Sequence, residues 1–165
     1  MDIALTIPEL LRLAAPAGLP PGIGTPTLVG DTLTVEVDPR ELPDLPTPAR
    51  LAARAAGNVT VTARVLRLST GVAVLDVTAS ARSLPAHRVV GLFLGAVENA
   101  LRGALVARGV RGDAVRLRPD GPHLEVLADT AALLAPAPLP PHLRGLRVTE
   151  LRLADGRVHV SVALP

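Results

Sequence analysis

The sequence predicts an α+β fold. It is a strongly curved antiparallel β-sheet of hairpins wrapped around one long helix (83–109), with short flanking helices and an internal duplication. Three observations predict it. Several stretches alternate apolar and polar residues about a turn signal, as half-buried antiparallel strands do. One stretch is apolar at helical spacing over many turns. A proline-rich phrase, "APAGLPPGI" at 15–23, returns as "APAPLPPHL" at 135–143. At 165 residues the chain reads as a single domain, 1–165, able to bury roughly two-thirds of its unfolded surface.

The elements follow in chain order. "IPELLRLAA" (7–15) is a short helical pattern. "TPTLVGDTLTVEV" (25–37) is a hairpin turning at Gly30-Asp31, with Leu33, Val35 and Val37 inward. "TPARLAARAAG" (47–57) is helical, with Thr47 as N-cap and Pro48 at the first helical position. "NVTVTARVLRLSTGVAVLDVTASA" (58–81) is the longest hairpin, and Ser69-Thr70-Gly71 suits a three-residue loop. That register pairs Val65–Leu75, Ala63–Val77, Val61–Ala79 and Val59–Ala81 on an apolar face. Arg64–Asp76, Thr62–Thr78 and Thr60–Ser80 share the polar face. At the tip the pattern reverses: Leu66–Val74 and Leu68–Val72 put apolar side chains on the face that is polar below. Such a ribbon must twist sharply, be covered by another element, or expose an apolar tip.

The long helix "SLPAHRVVGLFLGAVENALRGALVARG" (83–109) ends at a glycine stop. At 100° per residue, Val89, Val90, Phe93, Leu94, Val97, Ala100, Leu101, Ala104 and Leu105 fill an arc of roughly 160°. An ordinary surface helix needs an apolar stripe of about 100°, so the width suits a helix cradled by a sheet. Gly91 and Gly95 form a GxxxG pair on its polar side. Each costs up to about 1 kcal/mol against Ala, a cost that close approach by a neighbouring strand or a second subunit would offset.

"LRPDGPHL" (117–124) and "LADGRV" (153–158) are hairpins with Asp-Gly turns. The first register pairs Leu117–Leu124, Val115–Val126 and Arg116–Glu125. The second pairs Leu153–Val158, Leu151–Val160, Arg152–His159 and Glu150–Ser161. "ADTAALLA" (128–135) is a short helix between them. The repeated phrase then extends to a unit of short helix, Ala-Pro-Ala, Leu-Pro-Pro and hairpin. Its copies, about 8–38 and 128–164, flank a central hairpin–helix unit, 58–109. Its prolines can neither continue a helix nor sit in a central strand, so the phrase reads as a rigid crossover.

Composition bounds the chemistry. Apolar residues are 48% of the chain but aromatics only 1%, with Phe93 the single phenylalanine. All 17 cations are arginine and the net charge is +2, so the pI near 10.8 reflects missing lysine and tyrosine rather than a basic surface. Without a dense basic run or aromatic stacking platforms, no nucleic-acid partner is expected. Cysteine is absent, which removes disulfides, thiolate zinc sites and thiol catalysis. His87, His123, His142 and His159 have no metal-ligand spacing, and no serine sits in a nucleophile elbow. "GIGTPTLVG" (22–30) does not join a strand to a helix as a dinucleotide loop does. No cofactor, metal or catalytic set is expected. No transmembrane segment is expected either, since uninterrupted apolar runs fall well short of about 18 residues. With no leader visible at "MDIALTIPELLRLAAPAGLPP", the chain as written reads as cytoplasmic, an exported form with a removed leader being the alternative.

The hairpins, the single long helix and the ending "GLRVTELRLADGRVHVSVAL" (145–164) resemble the tubular lipid-binding (TULIP) superfamily, particularly its small bacterial LmeA-like proteins. Those proteins repeat strands of the form V-x-V-x-x-L-x-x-x-x-x-G-x-V-x-V. The cadence stands here at Val59–Val77 and Leu146–Val162, and the pattern covers 25–164. Two features depart from the family: members are usually exported or lipid-anchored, and many are longer. The resemblance implies a curved sheet around the helix and an elongated apolar groove holding a lipid chain. The expected function is therefore a non-enzymatic carrier or binder of a lipid or other hydrophobic ligand, with Val90, Phe93, Leu94, Val97, Leu101 and Leu105 lining the groove. The alternative is a structural module that homo-oligomerises, through the Leu66, Leu68, Val72 and Val74 tip or the Gly91 and Gly95 face. Peripheral membrane contact is compatible with either.

Overall fold

The computed structural model describes residues 1–15, 17–42, 45–82, 84–137, 140, 143 and 145–164. The chain is α+β, and its strands form two antiparallel sheets. In chain order the elements are β1 (Asp2–Thr6), α1 (Ile7–Ala14), β2 (Thr27–Val29), β3 (Thr32–Val37), α2 (Thr47–Ala56), β4 (Val59–Ser69) and β5 (Val72–Ala81). They continue with α3 (Ala86–Ala107), β6 (Val115–Asp120), β7 (His123–Asp129), α4 (Thr130–Leu134), β8 (Arg147–Ala154) and β9 (Arg157–Ala163). The larger sheet has the order β2-β3-β4-β5-β7-β6, and the smaller β1-β9-β8. β8 comes up against β4, which brings the two sheets together.

The alternating pattern decides which face meets α3. Cross-strand pairing places Leu33, Val35 and Val37 of β3 opposite Ala63, Val61 and Val59 of β4, as the inward pattern of the first hairpin anticipates. The same face continues through Leu75, Val77, Ala79 and Ala81 of β5 to Leu124 and Val126 of β7 and Leu117 of β6. Val61, Ala79 and Ala81 pack with a buried cluster of Leu45, Ala49, Ala53, Val59, Val89 and Phe93, so α2 and the first half of α3 share this layer. The second half of α3 packs elsewhere. Leu105 is buried with Val110 and Ala114, against Leu101, Val115, Ala132 and Leu133.

The opposite face is polar and rich in threonine. Thr62 and Thr78 share a hydrogen bond of 2.6 Å between hydroxyls, and Thr60 Oγ1 donates to Glu36 Oε1 at 2.7 Å. Arg64 and Asp76 stand opposite each other as the sequence pattern has it. Their side chains part, however. Arg64 Nε donates to Thr32 Oγ1 at 2.8 Å, while Asp76 meets His123 Nδ1 at 2.9 Å.

All seven lower pairs of the long hairpin stand in the anticipated register. Its tip does not. The turn has two residues, Thr70 and Gly71, and a β-bulge at Leu66 absorbs the difference, giving Arg67↔Val74, Leu68↔Ala73 and Ser69↔Val72. One extra residue turns the strand over. Leu68 thereby joins the apolar face, and Arg67 reaches Glu125 at 3.6 Å on the polar one. β5 has no bulge, so Val72 and Val74 stay on the face of Asp76 and Thr78, and Val74 is buried there: the fold covers that side of the tip.

The 117–124 hairpin also differs from the anticipated register. Its turn is Gly121-Pro122, with Asp120↔His123, Arg118↔Glu125, Leu117↔Val126 and Arg116↔Leu127. A turn at Asp120-Gly121 would make Pro119 and Pro122 the closing pair, and neither has an N–H to exchange. Gly121 instead takes φ +58 in the first central place, with the proline after it, as a type II′ turn requires. The slip is two residues, so every side chain keeps its face.

The last hairpin pairs as expected around Asp155-Gly156, with a bulge between Val148 and Glu150. β1 was not anticipated from the sequence. It pairs Ile3 with Val160 and Leu5 with Val158, closing the smaller sheet with the start of the chain. At α2 the cap is Pro46, not Thr47, and no side chain caps the helix. Both Thr47 and Pro48 lie in the first turn, where backbone N–H groups have no intrahelical partner. The two helix-to-hairpin units are α1 with β2-β3 and α4 with β8-β9, and their hairpins fall in different sheets. Four residues of the second proline phrase, 138, 139, 141 and His142, lie outside the described residues.

Candidate functional site

α3 is an unusual helix for its position. His87–Ala107 has a mean hydropathy of 1.5, long and apolar enough to cross a membrane, yet only 17% of its most apolar stretch is buried in the fold. Here it lies on the sheet, anchored by Val89, Val90, Phe93 and Leu105. The wide apolar arc resolves into two narrower stripes. Val89, Phe93 and Ala96 turn toward α2. Leu101 and Leu105 turn toward the β6 and α4 end.

The two helices also differ in length. α2 has ten residues and α3 twenty-two, roughly 15 Å against 33 Å. Beyond Ala96, the last α3 residue packed with the α2 cluster, Val97, Ala100 and Ala104 are exposed, Val97 to 41%. The expected lining residues therefore divide. Val90, Phe93 and Leu105 are buried packing residues, Leu94 and Leu101 are partly buried, and Val97 is open. On the sheet face that meets α3, Leu33, Ala63 and Val65 are also only partly buried.

The expected partner contacts divide as well. Val74 is buried at 4% exposure and is therefore removed from any tip interface. Leu68 and Val72 are partly buried, and only Leu66 remains exposed, at 56%. At Gly91 and Gly95 an added Cβ would meet nothing within 4 Å. Among the described residues no strand approaches them, which corrects the intramolecular account of the GxxxG pair.

A second candidate lies on the polar face of the smaller sheet. Asp2, Ile3, Ala4, Glu150, Arg152, His159, Val160 and Ser161 line a hollow of about 300 Å³. β1 supplies one wall of it, through Asp2, Ile3 and Ala4, and the sequence pattern carries no local signal for that strand. Ser161 Oγ donates to Asp2 Oδ1 at 2.6 Å, and Arg152 Nε lies 3.4 Å from Glu150 Oε1. His159 Nε2 is buried without a partner. With Ser161 bonded to a carboxylate and not to His159, the hollow holds no nucleophile–base pair. Among the described residues, no group of three or more His, Asp or Glu is placed to hold a metal ion.

Among the described residues, two carboxylates are held below their usual range, both at element ends. Glu9 accepts from the Thr6 backbone and hydroxyl, each at 2.8 Å, in a capping box that starts α1. Asp38 is held down first by the Arg40 side chain, whose Nε donates at 2.8 Å, and it also caps the short 3-10 turn Pro39–Glu41. Both are structural, and neither lies in the α3 region.

No family model matches the chain, and no curated protein or solved structure matches it either. The likeness to tubular lipid-binding proteins rests on strand cadence and element pattern alone.

Proposed function

We propose that the protein is a non-enzymatic binder or carrier of a lipid or other hydrophobic ligand. The ligand's chain would lie along the flank of α3 at Val97, Ala100 and Ala104, between the helix and a sheet that curves around it. One observation carries this reading: apolar surface on α3 continues past the residues packed with α2, and it is exposed among the described residues. Burying such surface against an acyl chain would contribute about 25 cal/mol per Å². Partly buried Leu94 and Leu101 would form the walls, while Val90, Phe93 and Leu105 hold the helix to the sheet. The strand cadence shared with tubular lipid-binding proteins agrees with this reading. The test is titration with a fluorescent long-chain fatty acid. Saturable binding that Val97→Asp weakens at least tenfold, with melting unchanged, is the expected result. Unchanged affinity in that variant would remove the site. The second reading, self-assembly through the hairpin tip, retains Leu66 as its exposed contact.

A further inference from the structure

The side of α3 facing away from Val97 carries a different chemistry. At 100° per residue, Arg88, Leu92, Gly95, Asn99, Arg102 and Val106 fall within an arc of roughly 80°. All six are exposed, Leu92 to 40% and Val106 to 60%. The glycines at 91, 95 and 103 leave the helix backbone open to its surroundings, since a Cβ at any of them would meet nothing within 4 Å. Among the described residues, neither Arg88 nor Arg102 has an ion-pair partner. The one acidic residue of α3, Glu98, lies outside the arc and is partly buried. The face is thus cationic and aliphatic at once, on a helix of span-like hydropathy that is mostly unburied.

We propose that this face of α3 docks on an anionic lipid surface. Arg88 and Arg102 would meet lipid phosphates while Leu92 and Val106 enter the headgroup boundary, the arrangement of interfacial amphipathic helices. Charge argues against a second copy as the occupant. An antiparallel crossing centred on Gly95 sets Arg88 against Arg102, and a parallel one sets each arginine against itself. An anionic bilayer complements both arginines and also takes up the aliphatic side chains between them. The docking face and the Val97 flank lie on opposite sides of the helix, so this proposal goes beyond the ligand reading and stands separately from it.

The experiment is co-sedimentation of the full chain with vesicles of phosphatidylcholine, with and without phosphatidylserine, at low and high salt. Binding should require phosphatidylserine and weaken with salt. Replacing Arg88 and Arg102 together by Ser should lower partitioning about 25-fold, roughly fivefold per arginine. Leu92→Asp should abolish it, and Val97→Asp should leave it intact. Thermal melts of each variant establish that the fold is retained. Equal partitioning onto uncharged vesicles, or no vesicle binding by the folded protein, overturns the proposal. So does a dimer in light scattering that Leu92→Asp dissolves, which would assign the face to a second copy. Loss of fatty-acid binding in Val97→Asp with vesicle binding retained separates the two readings.

Discussion

Gly22 holds φ +81, and a Cβ there would stand 2.5 Å from the Asp38 carbonyl oxygen. It lies there because Gly24 N donates to Glu36 O and Asp38 N donates to Gly22 O, both at 2.7 Å, tying the entry loop to the end of β3. Gly22→Ala should therefore destabilise the protein by about 1–3 kcal/mol from strain alone. A shifted midpoint in urea unfolding is the readout, and an unshifted one would mean the loop moves freely. Phe93 and Val97, four residues apart on one helix, should respond oppositely. Phe93→Ala empties a buried site and should cost about 3–5 kcal/mol. Val97→Ala, on the surface, should change stability by less than about 0.5 kcal/mol. The sequence alone grouped these two side chains, because helical periodicity shows a direction and not what occupies it. Glu9 and Asp38 add a pH dependence. Their folded pKa values lie below the unfolded ones, so their stabilisation is complete above the usual carboxylate range. It is lost as pH falls through the depressed values. Unfolding midpoints followed downward from neutral pH should fall there, and less steeply in Glu9→Gln.

At the scale of elements, α3 carries the sharpest expectation. With open space at Gly95, Gly95→Ala should stabilise the isolated protein by up to about 1 kcal/mol, seen as a raised Tm. A lowered Tm would indicate a close neighbour at that face in solution. The helix and the hairpins were legible because their signals are local: alternation about a turn, glycine at a stop, apolar residues at helical spacing. Registers were legible where the turn chemistry was simple, as at Asp155-Gly156. They were missed where backbone chemistry overrode the Asp-Gly signal, as with two prolines facing across Asp120-Gly121. The bulge at Leu66 was signalled by the reversed tip, although its position was not. The inserted residue re-aims Leu68 and Arg67 of β4, while Val74 of unbulged β5 keeps its face and is buried there by the fold.

At the scale of the molecule, the unread features are those set by distant partners. β1 is five residues long, and its pairing with β9 joins the two ends of the chain, so neither its existence nor the hollow at Asp2, His159 and Ser161 had a local signal. The division of α3 between two neighbours has the same origin. The first half of α3 packs with α2 and the second with residues beside β6 and on α4, elements far apart in the chain. What the arrangement of the described residues leaves exposed is apolar helix surface at Val97, Ala100 and Ala104. The proposed hydrophobic ligand would cover it. Native mass spectrometry of the purified protein, with solvent extraction of whatever it carries, tests this most directly. A stoichiometric acyl-chain lipid bound to the folded protein and lost in Val97→Asp is the expected result. A folded protein that emerges at its bare mass, and takes up no lipid when lipid is supplied, would contradict it.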